Sequence, residues 1–233
     1  MNYQGEEVIR VEKVSKIYST SAVEIHALRQ VSLAINRGEF TAIAGPSGSG
    51  KSTLLNLISG LDTPSSGHIF LAGRSLSKIG GNQLSDFRRD HIGFIFQSYN
   101  LIPVLTVGEN IEYIMLLQGV GEAQRRQRVD AILREVGLEG MESRRPEQLS
   151  GGQQQRVAMA RAMVSQPDLI LADEPTANLD SATGAALLDM MRQLNQKSGM
   201  TFVFSTHDQM IVERARRQVV LKDGKIARDE VRP

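Results

Sequence analysis

The sequence predicts an α/β fold: a mainly parallel sheet covered by helices, with antiparallel strands before it and a helical insertion within it. Three observations carry this prediction. Apolar runs at Phe40–Ala44, Ile92–Phe96, Leu169–Ala172 and Thr201–Ser205 are bounded by turn residues and too short for helices. Helical patterns alternate with them, as expected of a parallel sheet buried on both faces. The middle of the chain, roughly residues 98–163, is mostly helical, and we read it as a subdomain inserted into the core.

The elements follow in order. Val8–Val11 and Val31–Ile35 are β-rich and partly alternating, and Asn36-Arg37-Gly38-Glu39 supplies the turn into the next strand. Phe40–Ala44 is a buried strand that runs directly into a glycine-rich loop. Thr53–Ser59 continues as a helix offering Leu54, Leu55, Leu57 and Ile58 for packing. A turn at Pro64–Gly67, a strand at His68–Leu71 and a turn at Ala72-Gly73 come next, then the strand Ile92–Phe96. From Val107 to Val136 the pattern is helical. Val129, Ile132, Leu133 and Val136 fall at i, i+3, i+4, i+7, and Gly137 is placed to cap the end. The core resumes with strand Leu169–Ala172, helix Thr183–Gln196, strand Thr201–Ser205 and a closing pair near Val219–Leu221 and Lys225-Ile226. We find no internal repeat.

Composition narrows the possibilities. The 233 residues suffice for one large domain, with or without an inserted subdomain. Lys and Arg total 27 against 26 Asp and Glu, a balance that argues against a nucleic-acid-binding face. The absence of cysteine excludes disulfides, zinc–thiolate sites, iron–sulfur clusters and a cysteine nucleophile. The apolar runs fall far short of the ~20 residues that span a bilayer. The first ten residues contain two glutamates and no apolar stretch, so no secretory signal is expected and a cytoplasmic location is.

Chemistry is concentrated in three segments. Gly45-Pro46-Ser47-Gly48-Ser49-Gly50-Lys51-Ser52-Thr53 matches the phosphate-binding loop and sits between a strand and a helix, the context it requires. Its glycines let successive N–H groups face phosphate oxygens, and the helix start adds partial positive charge. Lys51 brings a cation to the β- and γ-phosphates, and the Ser52 hydroxyl is a Mg²⁺ ligand. At the end of a buried strand, Asp173 and Glu174 present adjacent carboxylates. Asp173 suits the shell of Mg²⁺ and Glu174 suits an attacking water. Ser150-Gly151-Gly152-Gln153 opens a second helix and makes a second anion-binding turn, one more than a single nucleotide needs.

That second turn resembles the signature of the ABC transporter ATPase family, and the resemblance extends over essentially the whole chain. It implies a P-loop NTPase core with a mixed sheet, an N-terminal antiparallel β subdomain and an inserted helical subdomain, all within one nucleotide-binding domain spanning residues 1–233. It also implies ATP hydrolysis with Mg²⁺, and a homodimer in which Ser150–Gln153 of one subunit closes over ATP held by the other's loop. Tyr18 resembles the aromatic that stacks on adenine, although a lone tyrosine is otherwise core or surface. Gln97 resembles the glutamine that contacts Mg²⁺ or water. Asn178-Leu179-Asp180 resembles the loop that communicates across the dimer, and His207 the switch histidine near the γ-phosphate.

Three stretches are most similar to the ATPases of lipoprotein-releasing, macrolide-export and cell-division systems: Glu24–Leu28, Gln153–Arg156 and Ala172–Asp180. This subgroup implies a permease partner with few membrane helices and a large extracytoplasmic domain, and a cassette peripheral to the inner face of the membrane. Residues 99–103 are either part of the groove that accepts the permease or subdomain core. The rival reading is a soluble ABC protein acting on ribosomes or DNA. The single set of motifs, balanced charge and lack of heptads speak against it.

Overall fold

The computed structural model describes residues 6–19 and 23–232. Residues 1–5, half of the segment read for a secretory signal, lie outside it. Strands β1 (Glu7–Ser19) and β2 (Glu24–Asn36) pair antiparallel. They are followed by β3 (Phe40–Ala44), helix α1 (Lys51–Ile58), β4 (Ser66–Leu71) and the short β5 (Arg74–Ser75). Next come α2 (Gly81–His91), β6 (Ile92–Ile95), α3 (Val107–Leu117), α4 (Glu122–Glu135) and α5 (Gly151–Met163). The chain closes with β7 (Leu169–Asp173), α6 (Ser181–Ser198), β8 (Thr201–Thr206), α7 (Gln209–Arg214), β9 (Arg217–Lys222) and β10 (Lys225–Val231). Among the described residues, no helix is long and apolar enough to cross a membrane.

Two sheets result. One has the order β2-β1-β4-β5 and is antiparallel; the other has the order β10-β9-β3-β8-β7-β6, parallel except for β10. The apolar runs of the second sheet are buried on both faces because alternate residues enter different cores. Phe202 and Phe204 of β8, Phe40 and Ala42 of β3, and Ile170 and Ala172 of β7 pack with α3, α4, α5 and α6. Val203, Ile43, Leu169 and Leu171 face the other way, toward α1 and the antiparallel sheet. Rings of Phe40, Phe202 and Phe204 lie 4.6–6.1 Å apart and anchor the first core.

The helical stretch 107–136 is two helices, not one. Gly119 at φ 75 and Gly121, the residue before α4, divide it. The second ends at Glu135 and is capped by Val136, followed by Gly137 at φ 67 in the left-handed geometry that terminates helices. Helix α2 was not expected: only Phe87 of its residues is buried, so no apolar stripe marks it. Helix α7, six residues long, also gave no periodic signal.

The closing hairpin is fixed by Arg217. Its guanidinium forks onto Asp229 of β10 at 2.7 and 2.8 Å, which holds its pKa above the ordinary arginine value despite burial. It also donates to Ala34 O at 2.7 Å and pairs with Glu39 at 3.0 Å. Glu39 is buried, so removing the guanidinium strands a carboxylate inside the protein. Arg217→Ala is expected to lower stability by about 3 kcal/mol, read as a drop in the urea midpoint.

Candidate nucleotide-binding site

Parallel pairing aligns the strand ends. Ala44 of β3 lies beside Thr206 of β8, Asp173 of β7 beside Ser205, and Ile95 of β6 beside Ala172. The loop after β3, the carboxylates after β7, His207 after β8 and Gln97 after β6 therefore emerge along one edge of the sheet. Ligands of open α/β sheets bind at this carboxyl edge.

Gly45–Gly50 connects β3 to α1. Gly50 is the residue before α1 and sits at φ 103, and a Cβ there would meet Ala27 O at 2.5 Å. A Cβ on Gly45 would run into the carbonyl oxygen of Leu221. Glycine is required at both places. The start of α1 has no side-chain cap and no acidic residue in its first turn, so its N–H groups are left for an outside acceptor. Lys51 is buried, and its ammonium donates to Gly45 O at 2.8 Å and Pro46 O at 3.0 Å. An ammonium has three protons, and among the described residues this one makes no ion pair. The hydroxyl of Ser49 is buried without a hydrogen-bond partner among the described residues. A buried cation, an orphaned hydroxyl and uncapped N–H groups fit a bound anion. Pro46, Ser47, Gly48 and Ser52 lie exposed beside them.

Tyr18 ends on β1 next to this helix. Its hydroxyl donates to Asp62 at 2.8 Å, and the Lys16 ammonium lies 4.8 Å from its ring centroid. Burial first, and then the Asp62 bond, hold the phenol above its usual pKa; the Thr53 side chain acts in the opposite sense. Asp62, which also pairs with Lys16 at 2.6 Å, was missed in the sequence because it belongs to no motif.

Asp173 ends β7, and Glu174 follows at φ 45, an uncommon geometry for a non-glycine residue. The Glu174 carboxylate accepts from the Thr206 hydroxyl at 2.9 Å and from the His207 N–H at 3.1 Å, and its Oε1 lies 2.6 Å from His207 Nδ1. Because Oε1 already accepts the main-chain proton, Nδ1 is read as the donor to it, leaving Nε2 outward. A cavity of about 460 Å³ opens beside this pair, with Glu174, His207, Asp180 and Asp208 in its wall. Thr206, Asp208 and Thr176 carry hydrogen bonds here that no sequence pattern announced.

Ser150, Gly151, Gly152 and Gln153 begin α5. The Ser150 hydroxyl accepts from Gln153 N at 3.3 Å while the Gln153 side chain accepts from Ser150 N at 2.9 Å, a reciprocal cap. None of these four lines the Glu174 cavity. Their neighbours are Tyr99, near Gly151, and Thr183, near Gly152. The segment after Gln97 is strapped to the same helix. Arg161 donates to Asn100 O at 2.5 Å and Tyr99 O at 2.9 Å, and Asn178 donates to Gln97 O at 2.9 Å.

A glycine loop between strand and helix, with adjacent carboxylates at the end of the strand next but one in the sheet, defines a nucleotide-binding protein of the phosphate-loop class. The chain belongs to the ABC transporter family, whose model matches residues 28–177. It is 47% identical to the ABC transporter ATP-binding protein YtrE of Bacillus subtilis, over 86% of this chain and 87% of that protein. It is 43% identical to the macrolide export ATP-binding/permease protein MacB of Burkholderia pseudomallei, covering 97% of this chain but only 34% of MacB. Thus it spans about a third of that relative's length. The fold is that of ABC ATPase cassettes: it matches the ATP-binding cassette MJ0796 of Methanocaldococcus jannaschii, described as a dimer in a post-hydrolysis state bound to ADP and Pi. That match has a TM-score of 0.87 and 42% identity, covering 96% of this chain and 98% of the other.

Lys51→Ala is expected to weaken ATP binding by about tenfold or more, the scale of one charge-assisted hydrogen bond. Equilibrium binding of a fluorescent ATP analogue measures it, and unchanged affinity would contradict the phosphate-loop assignment.

Proposed function

We propose that this chain binds and hydrolyses ATP, pairs with a second copy of itself around the nucleotide, and drives a conformational change in a membrane permease. The observation that carries the reading is the buried Lys51 ammonium. Among the described residues it is held only by carbonyls of its own loop, at a helix start without a side-chain cap. Gly45, Pro46, Ser47, Gly48, Ser49, Gly50, Lys51, Ser52 and Thr53 cradle the phosphates, and Tyr18 packs against the adenine. Ser52, Asp173 and Gln97 would hold Mg²⁺, which when bound neutralises charge on the phosphate oxygens. Glu174 orients and polarises the attacking water, and His207 beside it faces the terminal phosphate.

The capped turn Ser150, Gly151, Gly152, Gln153 serves the nucleotide of the other copy, and Asp180 stands at the contact between copies. Two features support this placement. The turn is absent from the wall of its own subunit's Glu174 cavity, and the related cassette MJ0796 is described as a dimer. Among transporter types we favour the macrolide-export and mechanotransmission group, to which MacB points by name. The helical subdomain, approximately residues 98–163, comprises α3, α4 and α5 with their connections.

Glu174→Gln tests the hydrolytic reading. It should still bind ATP but lose on the order of 10²–10⁴ in turnover, roughly 3–5 kcal/mol of barrier. It should accumulate as an ATP-bound dimer in size-exclusion chromatography; near-normal turnover would remove Glu174 from the water-activating role.

We assign the permease contact to an apolar groove of about 270 Å³ between β6 and α3, lined by Phe94, Phe96, Ile102, Tyr113 and Ile114 among others. Leu101 packs against the core, whereas Ile102, Val104 and Tyr113 are exposed. Tyr113 is 43% exposed, so the fold tolerates a charge there. Tyr113→Glu should reduce membrane proteins co-purified from gently solubilised membranes by about tenfold, with nucleotide affinity checking that the cassette is folded. Undiminished capture would move the docking site elsewhere.

A further inference from the structure

We infer that Thr206 is a positioning residue for Glu174: its single hydroxyl proton is committed to the carboxylate and sets the direction in which that carboxylate faces water. The inference rests on the reading of Glu174 given above and adds a residue that no motif of the chain contains.

The geometry leaves the hydroxyl one arrangement. Thr206 is the last residue of β8 and is completely buried, so water does not compete for its bonds. The main-chain N–H of Asp208 lies 2.9 Å from Oγ1 and can only donate, so it occupies a lone pair of the hydroxyl. The remaining proton goes to Glu174 Oε2, also at 2.9 Å. Asp208 cannot easily turn away. Its carboxylate accepts from Met210 N at 2.8 Å as the cap of α7 and from the Thr176 hydroxyl at 2.9 Å.

Glu174 needs such a hold. At φ 45 its backbone has left the strand geometry that fixes side-chain direction, and its N–H is tied to Ser205 O at 2.9 Å. His207 grips Oε1, but the His207 side chain is 71% exposed and free to change its contacts when nucleotide arrives. Thr206 grips Oε2 from inside the protein, so it persists through that change. With both oxygens accepting hydrogen bonds, one from each side, the carboxylate plane is fixed in direction, as a water-orienting group requires.

The test measures steady-state ATP hydrolysis by Thr206→Val, Thr206→Ser, Glu174→Ala and the Thr206→Val/Glu174→Ala pair, with ATP affinity and Tm recorded for each. Valine keeps the shape and removes the hydroxyl; serine keeps the hydroxyl. We expect Thr206→Val to lower kcat roughly 10- to 100-fold, the scale of one hydrogen bond to a charged group. KM for ATP should stay within about twofold, and Thr206→Ser should restore most of the rate. In the Glu174→Ala background, Thr206→Val should cause no further loss, because the group it positions is gone. An unchanged kcat in Thr206→Val, an equal loss in both backgrounds, or failure of serine to rescue would overturn the inference while leaving Glu174 in its role. A Glu174→Ala variant that turns over at the wild-type rate would overturn both.

Discussion

Parallel pairing of β3, β8 and β7 is the constraint from which the site follows. Because the three strands run together in register, every segment leaving them departs from the same edge, about 5 Å from its neighbour. The phosphate loop, Glu174 and His207 are distant in sequence, and nothing local could bring them together. The sheet does so, and it can because its strands are apolar on both faces and held between two cores. A slip of one residue in β8 would turn Phe202 and Phe204 toward the antiparallel sheet and carry Thr206 away from Ala44, so core packing and site geometry specify the same register.

The site itself contains two kinds of order. Around Lys51 the protein leaves polar groups open: an ammonium with a proton to spare, an unpartnered Ser49 hydroxyl and a helix start without a cap. At the Glu174 carboxylate both oxygens are already engaged, although the neighbouring Ser205 hydroxyl is buried with no partner among the described residues. Hydrogen bonds run from Thr176 through Asp208 and Thr206 to the carboxylate, each donor already assigned. The first arrangement is suited to receiving a ligand, and the second to holding a group still. The two stand on either side of β8.

The legibility of the sequence follows the same division. Strands β3, β7 and β8 were readable because short, mainly apolar runs of four or five residues bounded by turns have few other uses, and the phosphate loop because its glycines have steric reasons. The site residues in motifs were readable for similar reasons: Gly45 and Gly50 admit no Cβ, and Lys51 needs its place at the helix start. What could not be read was everything that depends on neighbours distant along the chain. Asp62 meets Tyr18 across 44 positions and Thr206 meets Glu174 across 32, and neither spacing carries a periodicity. Helix α2 escaped for another reason, since a helix that buries only Phe87 shows no stripe. The helical run 107–136 proved to be two helices because left-handed Gly119 ends α3, and the apolar residues continue past it from Ile114–Leu117 to Val120, so the pattern does not reveal the break.

Arg161 gives the molecule a stiffness that its loops would otherwise lack. Rooted in α5, it grips the carbonyls of Tyr99 and Asn100, two residues in left-handed geometry, and burial lowers its pKa without removing its charge. The exposed apolar residues Ile102 and Val104 follow within four positions of that grip. The grip thus ties that exposed segment to α5, the helix that begins at Ser150 and Gly151.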